Sequence, residues 1–436
     1  MKKLIFFSII LLLAACKEKT ENTYFTPEKA KQNFDRIKAI CEEDNGELWG
    51  TNLYGPLMYV DRGTRKILAN QPDQEGNLKE KNGIYTGNYP NELIINNTAN
   101  TFGGTLFAMS ALPSEENEFR IISRGLHSLY HRHQKASGYF TTSNHECNSP
   151  FMEERNARIW TKLEWNALRK AISSEGQEQL LCIRDALVFR GARREFYQDY
   201  SAYSDRFETY EGLAFFTSLL LGTESQEEFN THLTEYLDRV YSFESYSRSY
   251  GTVQGTLYAT LLYMKGFDFT TIQSENVNLG ELVMNVYDIQ LPELCRDVAG
   301  SLAINYDIDK IREEENQRDA DIKEYIHKQI NTFVEKPVVY IELESPYFDF
   351  NPEDIQPLGP NGTLYHKIRI SDNWGKLTVT KGGCLISSNF TYLRVTAKNY
   401  KAGRNHYEGE GWDLMLNNNW EVIEVDENYI LRKLQP

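Results

Sequence analysis

The sequence predicts an α+β fold: an N-terminal β-rich segment, a central helical bundle and a C-terminal all-β domain. Three stretches of differing pattern carry that expectation. Residues 47–110 alternate short apolar runs with turn signals, residues 113–334 repeat apolar positions at helical spacing with few prolines, and the chain after Pro337 returns to short alternating runs. With 436 residues, 41% of them hydrophobic and 13% aromatic, the chain carries enough apolar side chains for about two or three packed domains.

The first sixteen residues, "MKKLIFFSIILLLAAC", stand outside any fold. Lys2 and Lys3 precede an apolar run from Leu4 to Leu13 that is too short to span a bilayer and ends in small residues. Residues 1–15 therefore read as an export signal. Leu13-Ala14-Ala15-Cys16 resembles the lipobox of bacterial lipoproteins, which implies a lipid on Cys16 and a body tethered to a membrane of the cell envelope, facing the periplasm or the cell surface. Residues 16–36, polar and rich in charged side chains, are expected to be the lipidated cysteine and its tether. No later segment is long and apolar enough to span.

Residues 37–112 are the expected β-rich segment. "ELWGTNLYGPLMYVDRGTRKILANQ" places Gly-Pro and Asp-Arg-Gly turns between apolar runs, and "ELIINNTANTFGGTLFAMSAL" follows. Residues 113–335 should hold roughly six to nine helices, with breaks at "TTSNHECNSP", "QDYSAYS" and "KGFDFTT". The stretch "DIDKIREEENQRDADIKEYIHKQINTFV" closes them as one long polar helix with a solvated face. Residues 336–436 read as a β-sandwich-like domain, with short alternating strands separated by turns such as Gly359-Pro360-Asn361-Gly362.

Composition narrows the partners. The formal net charge of −15 becomes about −17 once Lys2 and Lys3 leave, which argues against nucleic acid and leaves protein, peptide or cationic ligands open. Cys41, Cys147, Cys182, Cys295 and Cys384 are scattered without a Cys-x-x-Cys pair, so neither a zinc ribbon nor a dense disulfide framework is expected. The chain has no phosphate-binding loop, dinucleotide fingerprint or nucleophile elbow.

Ser114 as N-cap, Glu115 and Glu116 in the first turn and a stripe of Phe119, Ile122, Leu126 and Leu129 predict a helix over 115–134. His127 and His131 lie one turn apart on it, the spacing two imidazoles need to hold one metal ion, and also one that two ordinary helix histidines can share. His133 is expected to point away from them. His145, beside Glu146, reads as a loop histidine, and Cys147 near it has nothing to orient it as a nucleophile.

Several separated segments, in order, resemble a family of bacterial zincin-like proteins whose helix reads H-E-x-F-H-R-x-Q. Here His127-Ser128-Leu129-Tyr130-His131-Arg132-His133-Gln134 keeps the histidines, the arginine and the glutamine but has Ser128 in place of glutamate. "ARIWTKLEWNAL" matches a second motif with Arg158, Trp160, Leu163, Glu164 and Trp165 in register, and "TYEGLAFFT" a third. "LYGPLMYVD", "RSYGTVQGTLY" and the glycine-rich text from Leu358 extend the likeness along nearly the whole mature chain.

The resemblance implies a zincin-like helical domain, zinc as the metal, and Glu211 as third ligand beside His127 and His131. It also implies a lost general base. Serine has no accessible proton-accepting state at neutral pH, and losing general-base catalysis typically costs about 10²–10⁴ in rate. A pseudoenzyme that retains the metal is the leading expectation. The alternatives are an active hydrolase with a displaced base, Glu164 or Glu208, and a metal-independent binding module of the envelope. Glu164 can equally be a buried structural partner of Arg158 or Arg132.

Overall fold

The computed structural model describes residues 26–90, 93–112, 117–140, 149–350 and 354–434. The export signal, Cys16, His145, Glu146 and Cys147 lie outside the described residues. Among those described, no helix is long and apolar enough to cross a membrane. The chain is α+β as expected: N-terminal strands, a helical centre and a C-terminal all-β region. It divides into two compact units, residues 1–311 and 312–436.

The first helix begins ten residues before residue 37, inside the expected tether. Helix α1 spans Pro27–Asp44, with Thr26 Oγ1 accepting from the Lys29 amide, proline at its first position and Asn45 in a left-handed C-cap. Ala30, Phe34, Ile37 and Cys41 form one buried stripe, and Phe34 stacks on Tyr59 with ring centroids 5.0 Å apart. A polar composition hid this helix because its apolar face is only one residue wide.

Six strands follow: β1 (Leu57–Asp61), β2 (Lys66–Ala69), β3 (Lys79–Lys81), β4 (Ile84–Asn88), β5 (Thr98–Phe102) and β6 (Thr105–Leu112). They form one sheet in the order β3-β4-β2-β1-β6-β5, with β1 and β6 parallel. Gly103 and Gly104, both at positive φ, turn β5 into β6, as a two-residue hairpin loop requires. The Asp73 carboxylate occupies the space a Cβ on Gly103 would need.

The sheet packs against the helices within the first unit. Leu57, Tyr59, Leu68 and Ala108 on one face share a core with the helices, while Met58, Val60, Ile67 and Met109 bury the other face in a smaller cluster. A sheet this small cannot cover its own apolar face, so the helices must.

The helices are α2 (Glu118–Ser137), α3 (Arg155–Ile172), α4 (Gly176–Phe196), α5 (Ser201–Phe207), α6 (Leu213–Gly222), α7 (Gln226–Tyr241), α8 (Tyr250–Met264), α9 (Leu279–Val286), α10 (Cys295–Leu302) and α11 (Ile308–Ile330). The described residues thus hold more helices than the periodicity predicts, because α9 and α10 are too short to display it, and the expected break "QDYSAYS" is itself helical. Helix α8 is buried on every side from Tyr250 to Leu262, which places it at the centre of the bundle.

From Arg312 onward the long polar helix groups with the C-terminal unit, so the boundary falls inside α11 rather than at residue 335. That unit is a two-sheet sandwich of seven and six strands. Val339, Ile341, Leu393 and Val395 from the first sheet meet Ile370, Leu377 and Leu414 from the second around a fully buried Trp374. The four described cysteines, Cys41, Cys182, Cys295 and Cys384, are free and buried.

Candidate metal centre

Helix α2 spans Glu118 onward with Asn117 as its cap, Asn117 Oδ1 accepting from the Arg120 amide at 2.9 Å; Ser114, Glu115 and Glu116 lie outside the described residues. Ile121, Ile122, Leu126 and Leu129 hold its inner face in the core. His127 and His131 share a face, their rings edge-on at 85° with centroids 4.6 Å apart. His131 is fully buried, whereas the His127 side chain keeps 15% of its surface.

The third residue arrives from far along the chain. Between α5 and α6 the helix widens into a π turn over Glu208–Gly212. Residues three apart in an α-helix point about 60° apart around the axis, and a π turn opens this to roughly 115°. Glu208 and Glu211 therefore face different neighbours. The backbone there is pressed against α8: a Cβ on Gly255 would lie 2.1 Å from the Glu208 carbonyl oxygen, and one on Gly212 2.4 Å from Gly255 Cα. Thr256 Oγ1 adds a 3.0 Å bond to the Gly212 carbonyl.

This packing brings Glu211 onto the histidines. His127 Nε2 and His131 Nε2 are 3.0 Å apart, and Glu211 Oε2 lies 3.5 Å from the first and 3.7 Å from the second. Ligand atoms about 2.0–2.1 Å from one tetrahedral ion would be separated by about 3.3–3.4 Å. The spacing of the three donors, two imidazole nitrogens and one carboxylate oxygen, therefore fits a single ion of the zinc type.

Protonation favours ligation as well. Burial and the neighbouring His131 hold the His127 imidazole below its ordinary pKa, outweighing Glu211. Burial alone would raise the Glu211 carboxyl, but His131 and His127 together hold it well below the usual carboxylate range. At neutral pH His127 is neutral and Glu211 is ionised, as metal binding requires.

Ser128 is fully buried against the sheet. Its hydroxyl donates to the Met109 carbonyl at 2.9 Å and lies 3.1 Å from Ser110 Oγ, both on β6. The other two acids weighed as bases are equally committed. Glu164 on α3 accepts from Arg193 at 2.7 Å, from Tyr258 at 2.6 Å and from Gln254. Glu208 takes a two-pronged contact from Arg190, at 2.9 and 2.7 Å, and a bond from Tyr250. Burial works to raise the Glu208 pKa, yet Arg190 holds it below the ordinary value.

The partners proposed for Glu164 from sequence are displaced. Arg158 donates to the Phe243 carbonyl and lies over the Tyr246 ring at 3.5 Å, and Arg132 donates to the Leu106 carbonyl. Arg190 and Arg193 on α4, with Tyr250, Gln254 and Tyr258 on α8, were not singled out in the sequence. The one available signal was the polar residues recurring at helical spacing inside the apolar text of α8. His133 faces Trp49 and Tyr130, away from the pair, as expected.

A second group, His406, Glu408 and Asp413, converges on an exposed hairpin of the C-terminal unit. There His406 bonds Asp413, and Glu408 bonds Lys401 at 2.7 Å. No protein-family model, curated protein or solved structure matches the chain, so function must be argued from the site itself.

Proposed function

We propose that this protein is a lipid-anchored, zinc-binding protein of the bacterial cell envelope whose centre is zincin-like but lacks a general base, so that it acts in binding rather than in peptide hydrolysis. The observation that carries the reading is the convergence of His127, His131 and Glu211 at 3.0–3.7 Å while every carboxylate weighed as a substitute base is engaged elsewhere. The Cys16 anchor rests on the sequence of the export signal.

His127 and His131 would hold the ion through Nε2 and Glu211 through its carboxylate. Bound there, zinc supplies a Lewis-acidic position able to take an oxygen or nitrogen donor of a protein or peptide ligand. The chain's own residues do the rest. His127 and Glu211 keep 15% and 17% of their side-chain surfaces, so the centre is in part reachable from solvent. Ser128 gives its proton to Met109 and offers no basic group. A displaced-base hydrolase is disfavoured because releasing Glu164 or Glu208 would strand a buried arginine.

The test is the metal content of the chain from residue 17 onward, purified without chelator beside its His127→Ala counterpart, followed by a peptidase assay with added zinc. Near-stoichiometric zinc in the first, none in the second and no turnover in either is the expected result. Zinc-dependent turnover would overturn the pseudoenzyme reading, and absence of metal from both proteins would overturn the metal reading.

A further inference from the structure

We infer that Gln134 is the positioning residue of the metal centre: one amide sets the tautomer of His131 and ties that ligand to the π turn that carries Glu211. The inference rests on the metal-binding reading above and extends it to a residue that touches no metal.

Gln134 follows His131 by three positions on α2 and is fully buried. Its Nε2 donates to two successive carbonyls of the π turn, Tyr210 at 3.1 Å and Thr209 at 3.3 Å. Carbonyls only accept, so the amide nitrogen must face them and Oε1 must face the other way. There it meets His131 Nδ1 at 2.7 Å. Because Oε1 also only accepts, the proton of a neutral His131 ring must sit on Nδ1. That leaves the Nε2 lone pair aimed at His127 and Glu211, the arrangement a metal ligand needs.

The same amide links parts of the centre that the chain separates widely. The two carbonyls immediately precede Glu211, so any displacement of the π turn strains the bond that orients His131. Tyr210, which carries one of them, also stacks on the His131 ring at 4.3 Å. Two of the three candidate ligands are thus held as a unit.

The experiment uses the protein of the metal assay, with Gln134→Leu and Gln134→Glu. Nitrogen-15 shifts of the His131 ring in metal-free protein report the tautomer, and a competitive chelator reports zinc affinity. The wild type should show the Nδ1–H form. Gln134→Leu should lose that preference and bind zinc about 10–100-fold more weakly. Gln134→Glu, which still accepts from Nδ1 but cannot donate as a carboxylate to the carbonyls, should keep the tautomer and fall between the two in affinity.

An Nε2–H tautomer in the wild type would overturn the inference without any variant, even if Gln134→Leu fails to fold. So would a folded Gln134→Leu with the Nδ1–H form and unchanged affinity, since a merely structural glutamine would alter stability alone. Failure of the wild type to take up zinc sinks the metal reading instead, and the tautomer measurement in metal-free protein distinguishes the two.

Discussion

At the scale of single residues, the proposed reading of binding without hydrolysis rests on Ser128. Its hydroxyl is held by β6 at a position with no exposed surface, so a longer acid there would be buried and would lose the bond to the Met109 carbonyl. Ser128→Glu is expected to lower stability by roughly 1–3 kcal/mol through overpacking, and to leave peptidase activity at background; urea unfolding and a peptide assay check both. Glu164→Ala should cost more, about 3–5 kcal/mol, because it leaves Arg193 buried without its carboxylate. The pH dependence follows from His127. Its pKa is depressed, so the neutral ring persists below the ordinary 6.5, and zinc occupancy should stay high as pH falls past that value and drop only further down. A midpoint above 6.5 in an occupancy titration would contradict the burial of this ring.

At the scale of elements, the π turn decides which acid reaches the histidines. It exists where Gly212 and Gly255 let α8 and the turn touch backbone to backbone. Gly255→Ala must push the two apart, since its methyl would meet the Glu208 carbonyl oxygen. The expected loss is roughly 1–3 kcal/mol, with zinc affinity falling as Glu211 moves off the pair. Denaturant unfolding and metal competition on one variant measure both effects. The helix that carries the histidines was legible in advance, from its apolar stripe and spacing, although its cap is Asn117. The π turn was not legible, because nothing in "FETYEGLAF" distinguishes a wide turn from an ordinary one until α8 packs against it.

At the scale of the whole molecule, two units each have their own core, and the three candidate metal ligands all belong to the first. Calorimetry should therefore resolve two transitions, and a chelator should lower only one of them. A metal at about a hundred times its dissociation constant stabilises the state that binds it by about 2.7 kcal/mol, enough to shift one transition by several degrees. A single transition that moves as a whole would mean that the units unfold together. The surplus of acidic residues in the sequence argues against nucleic acid as a partner.

The sequence by itself determined the α+β architecture, the helix bearing His127 and His131, and the serine between them, because each is written in local periodicity or in a single residue type. The resemblance named Glu211, but only tertiary structure shows it meeting the pair from within a π turn. Tertiary structure also decided that Glu164 answers to Arg193 rather than Arg158, and that residues 27–36, expected in the tether, belong to a helix packed on the core. Those outcomes depend on which distant surfaces meet. Backbone contact at a glycine pair and the pairing of buried charges are set by packing among elements far apart in the chain, and no local pattern records them.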